Sequence, residues 1–267
     1  MKIVILLTAC INAGETIYTV RKDPKIRESD YIKALKKWEK ETDLPIVFCE
    51  NSDSDLTRIK AIANPKSDNN NERIEFFSFD GNNNPKLGKS YGEMEIIKYA
   101  LLHSELIKNA DFIIKVSGRY FIKNFKKLVD EIKSYQKVDV ITTFQHDRKF
   151  AETLFFGAAK SFYETYFIKY HSKINGTEKY FIQTALYDSI TEAQNNGAKC
   201  FEFKIEPVVK GISARTNLRI KPDDFRKQNK YLYFAKKLKP FLDSTRGIRS
   251  KLGLRFVQLS SKKENTK

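Results

Sequence analysis

Asp111-Phe-Ile-Ile-Lys-Val-Ser-Gly-Arg-Tyr-Phe-Ile-Lys-Asn124 is the stretch on which the reading of this chain turns. An apolar run bounded by a charge on each side predicts a buried central strand. Ser117-Gly118 breaks it, so that Lys115 and Arg119 are expected to emerge near its carboxyl end. Open α/β sheets bind their ligands at that end of the strands. Arg offers a planar fork of donors and Lys a compact point charge, and together they suit an anionic group such as a diphosphate. The plainer alternative is a strand end with two solvated cations.

The chain of 267 residues, 41% apolar and 13% aromatic, is long enough to bury a core and too apolar to be disordered. Met1 to Cys10 opens like a signal peptide, but its apolar run is short and leads into a polar loop, so it reads as a first strand. No segment approaches the roughly 18 apolar residues that span a bilayer, and a cytoplasmic protein is expected. Three scattered cysteines (Cys10, Cys49, Cys200) make neither a disulfide framework nor a zinc spacing. The net charge of +16 is uneven. Residues 221–267 hold 14 Lys/Arg against 4 Asp/Glu, a net of +10, which leaves +6 for residues 1–220. The charge is therefore a property of the tail.

Lys2 to Thr8 reads as a strand, Asp30 to Thr42 as a helix capped by Ser29 or Asp30, and Pro45 to Ser52 as a second strand. Strand, helix, strand within fifty residues argues for a parallel βαβ unit. Asn64 to Asn71 is a polar loop, and Ile74 to Phe79 a third short strand. Gly88-Lys-Ser-Tyr-Gly-Glu93 then opens a helix whose free N–H groups, with Lys89, can face an anion. It lacks the spacing of a Walker loop. Phe125 to Ser134 is an amphipathic helix and Val138 to Phe144 a strand. Phe155 to Lys160 reads as a strand and Phe162 to Tyr170 as a helix. A longer helix runs from Glu178 to Ala193, then a last strand from Lys199 to Ile205 and a loop from Pro207 to Thr216.

Asp224 to Leu242 and Arg246 to Leu259 mix aromatic and aliphatic residues with many Lys and Arg. Such a basic amphipathic segment suits an anionic membrane surface, at about 1 kcal/mol per cation. The division expected is a domain over 1–220 and a basic helical tail over 221–267.

In the order of these pieces the chain resembles the GT-A-type, nucleotide-sugar-dependent glycosyltransferases of bacterial surface polysaccharide synthesis, whether of capsule, lipopolysaccharide or lipooligosaccharide. The matching features are Leu6-Leu-Thr8, Arg27 with Tyr31, Glu50-Asn-Ser52, Gly88 to Glu93, Lys115-Val-Ser-Gly-Arg-Tyr120 and Pro207 to Ser213. The resemblance spans residues 1–217. It implies a Rossmann-like α/β fold with a central, mostly parallel sheet and transfer of a sugar to a growing glycan or lipid-linked acceptor. It also implies a nucleotide pocket at the first two strand ends, with Thr8, Arg27, Glu50 and Asn51 as candidates beside Lys89, Ser117 and Gly118. Members of that group hold a divalent Mn²⁺ or Mg²⁺ on an Asp-x-Asp, but Lys115-Val-Ser-Gly-Arg119 stands in its place here. A metal is therefore not favoured, no ligand for one is named and no other cofactor is implied. Lys115 and Arg119, with Lys89, are instead expected to stabilise the departing phosphate.

An inverting transfer needs a base near the acceptor hydroxyl, for which Asp147 is preferred and Glu178 is second; Asp188 is a further acid in that half. The partners expected are a nucleotide-sugar donor, a glycan or lipid-linked acceptor and, through the tail, the anionic inner face of the plasma membrane. The alternative is a nucleic-acid-binding protein using the basic tail. Such binders interleave aromatics and cations along a groove, whereas most aromatics here fall in strands and apolar helix faces. A nucleotidyltransferase would want carboxylate-bound Mg²⁺, and no paired acidic motif ends a strand.

Overall fold

A computed structural model describes residues 1–63, 73–145 and 149–220. The chain forms β1 (Ile3–Ala9), α1 (Pro24–Glu41), β2 (Ile46–Glu50), α2 (Thr57–Ala63) and β3 (Ile74–Ser78), then α3 (Lys89–His103) and the short α4 (Glu105–Lys108). β4 (Phe112–Ser117), β5 (Phe121–Ile122), α5 (Phe125–Ser134), β6 (Val140–Thr142) and β7 (Phe144–Gln145) follow. The last third holds β8 (Phe150–Ala151), β9 (Phe155–Ala159), α6 (Lys160–Phe162), α7 (Ile182–Asn195), β10 (Cys200–Glu202) and β11 (Val209–Lys210).

Seven strands make one sheet in the order β10-β6-β9-β4-β1-β2-β3. β4 lies beside β1 at its centre, with Ile3 opposite Phe112 and Thr8 opposite Ser117. β9 alone runs against the others, between β4 and β6. β1 is buried along its whole length, as a sheet covered on both faces requires. Alternate residues serve the two faces. Val4, Leu6, Val47 and Cys49 pack with Met94 and Ile97 of α3 and Leu186 of α7. On the opposite face α1 sets Tyr31 edge-on to Phe48 and Trp38 against Phe121 and Phe125. The α/β architecture with a mostly parallel central sheet is thus the one the sequence predicts.

Several boundaries differ. α1 starts at Pro24, ahead of Asp30, because Asp23 caps it by accepting from the amides of Lys25 and Ile26, and Pro24 brings a helical φ already set. Glu178 to Phe181 precede α7 rather than open it. The predicted helix over Phe162 to Tyr170 is a run of π and 3-10 turns ending at Lys173. The predicted strand over Val138 to Phe144 divides into β6 and β7, and β7 forms a hairpin with β8. The loop expected from Pro207 contains β11, paired antiparallel with β5. The predicted loop over Asn64 to Asn71 and the basic tail lie outside the described residues. No described helix is long and apolar enough to cross a membrane.

Candidate functional site

The carboxyl ends of β1, β2 and β4 meet at an open cleft lined among others by Thr8, Cys10, Arg27, Asn51, Lys89, Glu93, Ser117, Arg119 and Tyr120. β1 lies between β2 and β4, so the crossovers leaving it and β4 diverge to open this crevice. α3 closes it on one side through Gly92, where a Cβ would come 2.9 Å from Nδ2 of Asn51. Trp38 fixes the β4 side by donating from Nε1 to the Tyr120 carbonyl at 2.8 Å.

A segment from far down the chain roofs the cleft. Asn124 donates to the Glu206 carbonyl and accepts from the Val208 amide, which steers the chain into β11. Gly211 then crosses so near Arg119 that a Cβ would lie 2.9 Å from its carbonyl oxygen and 2.5 Å from the Tyr120 ring. The amides of Val20 and Arg21 both donate to the Ala214 carbonyl, at 2.8 and 3.1 Å. Arg21 also grips Asp30 with two nitrogens and Asn217 with the third.

Lys115 does not emerge as expected. It lies wholly within the protein, where its ammonium contacts Glu93 of α3, the Thr153 carbonyl at 2.6 Å and the Ser117 hydroxyl at 3.3 Å. The reason is the alternation of the strand, which turns residue 115 toward α3, and a charge so placed needs a partner. Glu93 supplies it. Burial pushes the Glu93 carboxyl up, but the Lys115 ammonium, its hydrogen bond, the Lys89 charge and the Ser117 hydroxyl prevail and hold it below its ordinary value. Thr8 donates to the same carboxylate at 3.4 Å.

Arg119 is different. Its Nη2 reaches the Tyr31 hydroxyl at 3.4 Å and its guanidinium lies 5.6 Å from the Tyr31 ring and 5.9 Å from the Tyr120 ring. Nε and Nη1 are buried with no hydrogen-bond partner among the described residues. Leaving such donors unsatisfied is costly, and at a cleft it points to a ligand that completes them. Oδ1 of Asn51 is unsatisfied in the same way. Lys89 is an exposed residue at the start of α3, yet loss of water lowers its ammonium pKa, helped by Arg119 and Arg215 and opposed by Glu93 and Glu152.

Arg27 borders the cleft with its guanidinium bonded to the Cys10 and Arg21 carbonyls, where it holds the loop after β1. Glu50 is enclosed by the amides of Ile11, Ser52 and Ser54 and the hydroxyls of Ser52 and Ser78. Gly118 lets β4 approach β1, donating its amide to the Thr8 carbonyl at 2.7 Å, where a Cβ would stand 2.9 Å away. Burial raises the Cys10 thiol to about 11, with the Arg27 charge opposing, so Cys10 stays protonated. Glu178 is exposed between Gly176 and Lys179, which line a second cavity, and Asp188 accepts from the Tyr180 hydroxyl at 2.7 Å. Asp147 lies outside the described residues. Sequence reasoning passed over Glu93, Tyr120 and Arg215 as site residues. Glu93, a carboxylate four residues after Lys89 in an apolar helix, was open to detection; Arg215, placed by distant hydrogen bonds, was not.

Among the described residues, the end of β4 presents a hydroxyl and a guanidinium, and the adjacent Glu93 carboxylate is engaged by Lys115. Among the described residues no group of three or more His, Cys, Asp or Glu converges.

No family model matches the sequence, and no curated protein does. Among solved structures the chain is similar to a cytidylyltransferase from Leptospira borgpetersenii, at 13% identity over 84% of each chain and a TM-score of 0.43. It is also similar to the galactosyltransferase LgtC in complex with donor and acceptor sugar analogs, at 9% identity, 74% of this chain, 72% of that one and a TM-score of 0.43. CMP:2-keto-3-deoxy-manno-octonic acid synthetase complexed with CTP matches at 10% identity, 79% of this chain, 93% of that one and a TM-score of 0.42. Likeness at this level adds nothing to what the sheet itself shows.

Proposed function

We propose that the protein is a nucleotide-sugar-dependent glycosyltransferase of GT-A type. The observation that carries the reading is the Arg119 guanidinium, whose Nε and Nη1 have no partner among the described residues at the crevice where the β1 and β4 ends meet. A donor diphosphate beside Arg119 and Lys89 would satisfy both nitrogens with charge-assisted hydrogen bonds. The sugar–phosphate bond then breaks with its electron pair passing to the phosphate oxygen, and the acceptor hydroxyl bonds to the anomeric carbon as its proton leaves to a base. Asp147 or Glu178 is the proposed base. Cations already in place stabilise the developing charge without reorganising. Lys115 contributes through Glu93, which it fixes and neutralises, so that Lys89 and Arg119 set the sign of the cleft.

Thr8, Asn51 and Ser117 complete the donor pocket, Arg27 and Glu50 shape its walls, and Gly118 brings its two strands together. The acceptor is a growing surface glycan, such as that of capsule or lipopolysaccharide, or a lipid-linked sugar. The tail over 221–267 would hold the enzyme at an anionic inner membrane face. Support for that comes from the coincidence of aromatics with the +10 charge.

The test is a thermal-shift panel of UDP-, GDP-, CMP- and TDP-sugars, each with and without EDTA. A true donor raises the melting temperature by an amount that grows with its affinity, and the shift is expected to survive EDTA and to vanish in Arg119→Gln. Stabilisation only by nucleoside triphosphates, with pyrophosphate release on adding a sugar, would replace this reading by a nucleotidyltransferase. A gel shift with random oligonucleotides that persists at physiological salt, with no response to any nucleotide, would replace it by nucleic-acid binding.

A further inference from the structure

A second cavity, of about 350 Å³, adjoins the donor cleft and shares Lys89 with it. Tyr18, Phe150 and Phe181 line it together with Lys89, Lys179 and Arg215, and among the described residues no acidic one does. The Gly176 amide donates to the Leu87 carbonyl at 2.9 Å, and a Cβ on Gly176 would come 2.9 Å from that same oxygen, so two loops are drawn into contact. The Tyr18 hydroxyl reaches the Gly176 carbonyl at 3.4 Å, and its ring stands edge-on to Phe181 at 6.1 Å.

Two of the non-glycine lining residues have a left-handed backbone, Tyr18 at φ 61° and Lys179 at φ 60°. For side chains with a Cβ this conformation costs on the order of 1–3 kcal/mol, and such strain gathers at ligand sites. Here both strained residues turn toward one cavity.

We propose that this cavity binds the acceptor and selects a sugar that carries an anionic group, a carboxylate or a phosphate, seated between Lys179 and Arg215. The proposal rests on the glycosyltransferase reading and names its acceptor class. Tyr18 and Phe181 provide apolar faces against the C–H surface of the ring. Arg215 matches a carboxylate or phosphate edge with two parallel donors, while Lys179 supplies a movable charge. Lys89, Lys179 and Arg215 repel one another, a repulsion that an arriving anion relieves. The lowered ammonium of Lys89, to which Arg215 contributes, is consistent with that crowding.

The experiment is saturation-transfer NMR on the full chain with methyl glucuronide, glucose 6-phosphate and methyl glucoside, on the wild type and on Lys179→Gln and Arg215→Gln. Both anionic sugars, or one of them, are expected to bind at least about tenfold more tightly than the glucoside, a preference that each substitution erases. The two anionic probes distinguish a carboxylate from a phosphate. Equal binding of the glucoside, or an anionic preference untouched in both variants, overturns the proposal. Both side chains are exposed, so unliganded melting temperatures are expected to match the wild type. Nucleotide-induced thermal shifts are measured in parallel. Anion-selective sugar binding without any nucleotide response would sink the transferase reading and leave this site standing, and the reverse outcome would do the opposite.

Discussion

Replacing Arg119 by Gln is expected to weaken donor binding about 10- to 100-fold, the worth of hydrogen bonds to a charged group at about 1.5–3 kcal/mol. Isothermal titration with the nucleotide-sugar found in the panel checks it. Arg119→Lys is expected to restore little, since an ammonium cannot present two parallel donors. Glu93→Gln tests a different kind of residue. Lys115 is fully enclosed, and removing its counter-charge is expected to destabilise the fold by about 3–5 kcal/mol in urea. The pH dependence follows from the same pair. Glu93 is held below its ordinary value of 4.5 in the folded protein, so its stabilising contribution is complete above that value and is lost as pH falls through the depressed one. Urea midpoints between pH 6 and pH 3 should fall more steeply in the wild type than in Glu93→Gln. The cations of this site could be read from the sequence because Gly118 marks the strand end. Their division of labour could not, since it depends on which face of β4 each side chain takes.

At the level of elements, the segment over 211–217 acts as a roof tied down at few points. Gly211→Ala would drive a Cβ into the Arg119 carbonyl and the Tyr120 ring. It is expected to lift the roof, lowering donor affinity and speeding hydrogen exchange at the Val20 and Arg21 amides, which lose their acceptor on Ala214. Unchanged exchange at those two amides would show that the roof is held elsewhere. α5 was legible to its last residue because its apolar stripe and its boundaries coincide. The start of α1 was missed because its apolar spacing gathers strength only at Tyr31, while the real signal is the Asp23-Pro24 pair at its entrance. β11, two residues long, has no period to detect. The reversal of β9 is a matter of long-range pairing, on which local pattern is silent.

For the molecule as a whole, the charge of residues 221–267 predicts adhesion to vesicles containing phosphatidylglycerol that weakens with salt. A chain ending at residue 220 should fail to sediment with them while keeping its nucleotide-induced thermal shift. Sedimentation equal to that of the full chain would remove the tail from the account. Lys89 has the widest consequence, because it lines both cavities. A single ammonium can be neutralised only once, so whichever anion arrives first leaves a less attractive field for the other. Thermodynamic reciprocity makes that antagonism equal in both directions. The apparent KM for either substrate would then rise as the other is raised, and Lys89→Gln would flatten that dependence by abolishing the rivalry that produces it.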